Sequence, residues 1–407
     1  MDYRVILSLA AEAAFALFLL HRSRLLDSPW RLAAALLLTG AAFVLRAMVF
    51  DYETLDYQNF LTKWVDFFRN NGGFLALDTP VGNYNIPYLY FMALFSYSGI
   101  KDLYLIKLLS IFFDVVLAWA SMLLCGRFIQ SKSARLACFF TVLYLPTVFL
   151  NGSVWAQCDS IYVSLAILGI YLALEDRPVL SMVCMAVSFG FKLQAVFIMP
   201  VYAVLWMYGK FNWKHFLIFP LSYVLLVLPA VLLGRPFMDT LTLYLGQTGS
   251  IGTELNYNSP SVFAFFYHIS DEEPAAKLAI ISAFVYMLLI LLVCWFNRSR
   301  LSDRAVFGAA LLFAVGIPFL LPHMHDRYFF ASDILTVILA FSAVEFSAAA
   351  ILAQFASLLG YHAYLKRRYL LLMDHGARAL ILVLIMAALY FAFGLKRKKF
   401  QDIEIPS

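Results

Sequence analysis

Residues 277–322 read KLAIISAFVYMLLILLVCWFNRSRLSDRAVFGAALLFAVGIPFLLP. Two apolar runs, 277–296 and 305–322, flank a short turn that carries Arg298, Arg300 and Arg304. A helix rising about 1.5 Å per residue needs about 20 apolar residues to cross a hydrocarbon layer of about 30 Å. The stretch therefore predicts two membrane crossings joined by a basic turn, and cytoplasmic turns are where Lys and Arg concentrate.

The same pattern extends in both directions. Further runs of spanning length lie at 4–20, 32–50, 103–126, 136–151, 160–175, 214–233 and 377–395, and the stretches 179–208 and 329–362 are each long enough for two short helices. The chain of 407 residues is 63% hydrophobic and 14% charged, whereas a soluble domain is about half apolar and about a quarter charged. A water-soluble surface is excluded. The net charge of +5 sits in short clusters between apolar runs, so it marks membrane orientation and not nucleic-acid binding. The five cysteines have no metal-ligand spacing, and Cys158 reads as a packed residue. No signal-peptide cleavage site is evident near the first run.

Placing the basic clusters at 21–31, 127–135, 210–215, 298–304 and 396–399 in the cytoplasm closes the parity under two conditions. Segment 84–99 (YNIPYLYFMALFSYSG) must be interfacial or re-entrant, and 179–208 and 329–362 must each be a helix pair, the first turning at Phe191–Gln194. The expected fold is then an all-α, polytopic membrane helix bundle of about 13 spans, forming a single integral membrane domain. Amphipathic interfacial helices lie in the first external loop, 51–102, and 234–276 forms a second long external loop. Lys366, Arg367 and Arg368 come out external, against the charge rule, so either they bind something anionic or 329–362 is not a helix pair.

The external segments hold the polar residues with chemical potential. Asp51, Glu53 and Asp56 precede an aromatic amphipathic pattern (Phe60, Leu61, Trp64, Phe67, Phe68), so Asp51 or Asp56 either caps a surface helix or serves as a general base. Asn151–Ser160 gathers Trp155, Gln157 and Asp159, suited to stacking on a sugar ring and to forked hydrogen bonds with its hydroxyls. Lys192 with Gln194 offers either a snorkelling cation or a phosphate ligand. The Gly-rich stretch 247–260, opened by Gln247, has the composition of a mobile lid. His323, His325, Arg327 and Tyr328 crowd the outer mouth of a span, with Arg327 suited to phosphate. The two histidines are two apart and lack a third ligand, so no metal is expected, and no cofactor motif is present.

Taken in order, these pieces resemble the GT-C superfamily of polyprenyl-phosphate-sugar-dependent glycosyltransferases, and more narrowly bacterial relatives of the GPI mannosyltransferase 2 family. The resemblance runs from about residue 50 to 335. It is carried by Asp56–Trp64 with Gly72-Gly73, Asn83–Tyr90, Val154–Tyr162, Phe191–Gln194 with Pro200, Gln247-Thr248 and Pro322–Tyr328. The chain departs from the family in having Ile86-Pro87 where Pro-Pro is common, and Trp155-Ala156-Gln157 where Trp-Gly-Gln is common. The resemblance implies an inverting transferase with its catalytic Asp in the first external loop. Asp56 best matches that position and Asp51 is second, since more distant relatives carry Asp-Tyr-Glu at the end of the first span.

The expected activity is transfer of a hexose, of mannose or glucose type, from a polyprenyl-phosphate sugar donor to a glycan or lipid-linked acceptor on the non-cytoplasmic face. The residues expected to bind substrate are Trp155, Gln157, Asp159, Lys192, Gln194, Gln247, His323, His325, Arg327 and Tyr328. The expected setting is a bacterial plasma membrane rather than the endoplasmic reticulum, with membrane lipids as partners and no nucleic acid. The alternatives are a lipid-linked-sugar flippase or secondary transporter, or a membrane subunit with no chemistry. A transporter should carry polar groups at mid-span or broken helices in repeated positions. Asp114 and Asp333 read instead as lying near outer helix ends.

Overall fold

The run at 277–296 belongs to one 25-residue helix, Glu272–Phe296. Only Ala279, Ala283, Ile290 and Cys294 of that helix are buried, a narrow stripe. Leu278, Ile281, Phe284 and Leu289 stand exposed around it. A helix that is apolar all round and largely uncovered by protein belongs against lipid. The next helix, Asp303–Leu320, is covered along nearly its whole length. Its start is capped by Ser302, whose Oγ accepts from the Ala305 N–H at 3.2 Å.

The computed structural model describes residues 2–247, 254–266, 269 and 271–396. Among the described residues the chain is helical apart from a two-residue parallel pairing of Asn256–Tyr257 with Met324–His325. Among the described residues eight helices are long and apolar enough to cross a membrane, or nine if the bent pair Lys132–Leu143 and Pro146–Val154 counts as one span. Shorter apolar helices are Ile86–Ser96, Asp159–Leu174, Pro178–Phe191, Leu193–Met207 and Phe330–Ser342. The protein is an all-helical, multi-pass membrane protein. Both stretches expected as helix pairs are broken: one at Lys192, between Pro178–Phe191 and Leu193–Phe197, the other across 343–347, between Phe330–Ser342 and Ala348–Lys366.

The chain divides into two compact units. The first takes residues 1–171, 179–195 and 217–251 and contains the helices Tyr3–Arg22, Pro29–Met48 and Asp102–Cys125. The second takes 172–178, 196–216 and 252–407. In the second unit, helices Asp303–Leu320 and Met373–Lys396 run antiparallel at close range. The Ser302 hydroxyl donates to the Gly394 carbonyl at 3.0 Å, and a Cβ on Gly394 would fall 2.7 Å from the Ala305 nitrogen. Glycine is required there because no side chain fits between the two backbones.

In the first unit, the loop after Pro29–Met48 holds a π-helical turn Tyr57–Leu61, helix Thr62–Asn70, a 3₁₀ turn Gly73–Asp78 and helix Ile86–Ser96. Thr62–Asn70 is amphipathic as its sequence requires, burying Trp64, Val65 and Phe68 and exposing Arg69. Ile86–Ser96 has 11 residues, about 16 Å of helix, against a hydrocarbon layer of about 30 Å. It differs from an interfacial helix in being buried on most of its faces, within one core with Trp64, Phe68 and Leu103. The connection is tight at Gly82, where φ is +62° and a Cβ would strike the Trp64 ring.

Candidate active site in the first unit

Asp56 sits at the entry of the Tyr57–Leu61 turn, which closes through the Thr62 N–H on the Tyr57 carbonyl, five residues back. Trp155 sits at the exit of a second π-helical turn, Leu150–Val154, where its own N–H reaches the Leu150 carbonyl at 2.8 Å. Such single wide turns recur at functional sites because they offset a side chain from the regular helical path. The offset brings the two together. Trp155 Nε1 donates to Asp56 Oδ2 at 2.8 Å and Gln157 Nε2 donates to the same oxygen at 2.9 Å. Thr54 Oγ1 ties the loops by donating to the Trp155 carbonyl at 3.2 Å.

Between Trp155 and Gln157 the chain turns through Ala156 at φ +62°. Glycine adopts this conformation without cost, whereas an L residue is strained by about 1–2 kcal/mol. The geometry gives a physical reason for the glycine common at this position in the family the sequence resembles. The Gln157 backbone is fixed on both sides, its N–H on the Asn151 carbonyl at 2.9 Å and its carbonyl accepting from Ser110 Oγ at 2.7 Å.

Gln157 also links outward. Tyr84 Oη donates to Gln157 Oε1 at 3.1 Å, which orients the amide so that its NH₂ faces Asp56. The Tyr84 ring lies 5.7 Å from the Lys192 ammonium and packs on Trp64 and Tyr88 at 5.3 and 4.9 Å. Lys192 is buried and ion-paired with Asp159. The Asp159 carboxylate also accepts from Asn151 Nδ2 at 2.7 Å, and it stands in the first turn of Asp159–Leu174, where the helix dipole favours an anion. Lys192 is therefore not a snorkelling surface cation. Gln194 Oε1 is buried without a hydrogen-bond partner among the described residues.

Asp51 stands apart from this group, accepting from the Tyr104 hydroxyl. The segment carrying it is held by Lys107, whose ammonium donates to the carbonyls of Val49, Phe50 and Tyr52 at 3.0, 2.9 and 2.8 Å. Beside it, Lys101 bonds Glu53 at 2.6 Å and holds that carboxyl below the usual range, with help from Gln58. Burial pushes the Tyr57 phenol up, and its hydroxyl donates to Asp102 at 3.0 Å.

Beneath the Asn151–Ser160 loop lies a polar cluster within the helices. Arg46 donates to Asp114 at 3.2 Å and to the Leu143 carbonyl at 2.8 Å, and Ser160 donates to Asp114 at 2.5 Å. Asp114 falls in the middle of Asp102–Cys125, not near its end as the sequence suggested, and Arg46 explains why burial is tolerated. Asp333 is in the first turn of Phe330–Ser342, as expected, and accepts from Ser357 at 2.8 Å.

The remaining sequence candidates belong to the second unit or to residues outside the description. His323 has φ +61° and is fixed by its N–H on the Leu255 carbonyl at 2.8 Å and its Nδ1 against the Glu254 carbonyl at 2.7 Å. His325 stacks on Tyr257 at 4.6 Å and lies 5.1 Å from Tyr328. Arg327 lies 3.9 Å from Asp326. Part of the stretch expected as a lid, 248–253, lies outside the described residues, as does the side chain of Gln247. Within its remainder, 254–260, Asn256 and Tyr257 pair with Met324 and His325.

Sequence reasoning missed Tyr84, Asn151, Thr54 and Ser110 as members of the site. Tyr84 sits in a tyrosine-rich run where no single ring stands out, and Ser110 lies inside an apolar span. Among known proteins, no family model matches this chain and no curated protein matches it.

Proposed function

We propose that the chain is an inverting membrane glycosyltransferase of the GT-C type. It transfers a hexose from a polyprenyl-phosphate sugar to a lipid-linked or cell-envelope glycan acceptor at the non-cytoplasmic face of a bacterial plasma membrane. The carrying observation is the Asp56 carboxylate, held by the indole N–H of Trp155 and the amide of Gln157 just beyond the Pro29–Met48 helix. Two N–H donors converging on one oxygen fix where the carboxylate stands. In the proposed step Asp56 takes the proton of an acceptor hydroxyl as that oxygen bonds the anomeric carbon. The bond to the donor phosphate breaks, and its electron pair leaves on the phosphate oxygen.

Lys192 is the phosphate-seeking cation of the first unit, and the donor phosphate shares it with Asp159. Arg327, with His323, His325 and Tyr328, is kept as a further donor-binding group. The bent pair and four of the shorter helices, leaving out Ile86–Ser96, add to the eight long helices to give the topology of about 13 spans that we propose.

The second reading, a lipid-linked-sugar transporter, draws on the buried Arg46–Asp114 pair, a polar group at mid-span. Asp56→Asn separates the two. Asn preserves the shape but cannot take a proton, so transfer from polyprenyl-phosphate sugars by protein in nanodiscs should fall about 100-fold or more, with Asp51→Asn milder. Full activity in Asp56→Asn with loss in Asp51→Asn moves the base to Asp51. Transfer retained in both variants places the base outside the first loop, and no transfer by the wild-type protein removes the transferase proposal.

A further inference from the structure

The connection between helices Ala348–Lys366 and Met373–Lys396 reads Arg367-Arg-Tyr-Leu-Leu-Leu372 and follows directly on Lys366. All seven residues from 366 to 372 are exposed, Leu370 at 67%. The connection is a built loop. Arg367 turns it at φ +51°, its Arg368 carbonyl meets His362 Nδ1 at 3.0 Å, and the Tyr369 hydroxyl donates to Asn258.

That last bond fixes the end of the second unit on which the loop lies. Asn258 follows the strand residues Asn256–Tyr257, which pair with Met324–His325 just beyond the end of helix Asp303–Leu320. Arg298, Arg300 and Arg304 sit at the opposite end of that helix, about 27 Å away along 18 residues. The antiparallel packing of Met373–Lys396 on Asp303–Leu320 requires the same, since Gly394 meets Ser302 while Met373 starts at the far end. One unit thus carries basic clusters at both ends, and only one end can obey the charge rule.

The second cluster is open to an anion. Among the described residues Lys366, Arg367 and Arg368 form no ion pair, and the nearby Asp374 is occupied by Arg378 at 2.9 Å and by His375. Three cations followed by three bare leucines at a helix end match a lipid surface in both respects. The leucines enter the acyl boundary and the cations meet headgroup phosphates.

We infer that residues 366–372 form a docking loop for anionic phospholipid headgroups in the leaflet opposite the Arg298–Arg304 face. The experiment uses the full chain with Leu371→Cys carrying a benzophenone maleimide, the native cysteines being buried or half-buried. It is placed in nanodiscs of equimolar phosphatidylglycerol and phosphatidylcholine with a trace of polyprenyl phosphate, and captured lipid is counted by mass spectrometry. Phosphatidylglycerol should exceed phosphatidylcholine by on the order of tenfold, given three nearby cations. The preference should fall toward one in about 1 M salt and when K366Q, R367Q and R368Q are combined. The salt arm needs no variant and stands even if the triple substitution misfolds. Equal capture of both phospholipids, a preference insensitive to salt, or capture confined to polyprenyl phosphate overturns the inference.

Discussion

Tyr84 does two separable things. Its hydroxyl orients the Gln157 amide toward Asp56, and its ring faces the Lys192 ammonium. Tyr84→Phe removes the first and keeps the second, and a freed amide can rotate to point its carbonyl oxygen at the carboxylate. The expected outcome is a fall in kcat of about 10- to 100-fold with the donor KM within about twofold, read by steady-state kinetics. A change confined to KM would show that Tyr84 only binds. Lys192 carries a different expectation. Its partner Asp159 is buried with it. Lys192→Met strands that carboxylate at a cost of about 3–5 kcal/mol, while Lys192→Arg keeps most of the stability. Thermal unfolding in detergent compares the two, and equal midpoints for Met and wild type would refute the pairing.

At the scale of elements, the first loop is held in place by a cation reaching out of a spanning helix. Lys107→Met leaves the carbonyls of Val49, Phe50 and Tyr52 without their donor and should cost about 2–4 kcal/mol. Proteolysis within 49–56 should speed up accordingly, and an unchanged cleavage rate would place the anchor elsewhere. What the sequence disclosed about elements follows from local pattern. Glu272–Phe296 was legible because its apolar run is long enough to span, and Thr62–Asn70 because its aromatics recur at helical spacing. The breaks at Lys192 and at 343–347 were legible from the length of apolar sequence they divide. The two π-turns carry no periodic signal, so the offset that joins Asp56 to Trp155 was hidden. Arg46 and Asp114, 68 residues apart, each look like an error in an apolar run until they are seen paired. The cluster of Asp56, Trp155, Gln157, Asp159 and Lys192 was legible by residue type and order, whereas the hydrogen bonds that set Asp56 within it and Asp51 on Tyr104 were not.

For the molecule as a whole, the decisive question is how the chain threads the bilayer, and Ile86–Ser96 is the hinge of it. If those 11 residues do not cross, Gly73–Asp78 and the residues just before Asp102–Cys125 share one face. Gly73 cannot report this, because φ is +65° and a Cβ there would fall 2.0 Å from the Tyr97 oxygen. Leu75, 70% exposed, and Gly99, whose Cβ would meet open space, are suitable sites. Ser299, in the basic turn between Glu272–Phe296 and Asp303–Leu320, reports the face expected to be cytoplasmic. With an impermeant maleimide applied outside intact cells, Leu75→Cys and Gly99→Cys should label at comparable rates. Ser299→Cys should label only after the membrane is opened. Labelling of Leu75→Cys without Gly99→Cys would make Ile86–Ser96 a crossing and reverse the side of every later loop. The basic cluster 298–304 would then lie outside, against the charge rule and the helix length together.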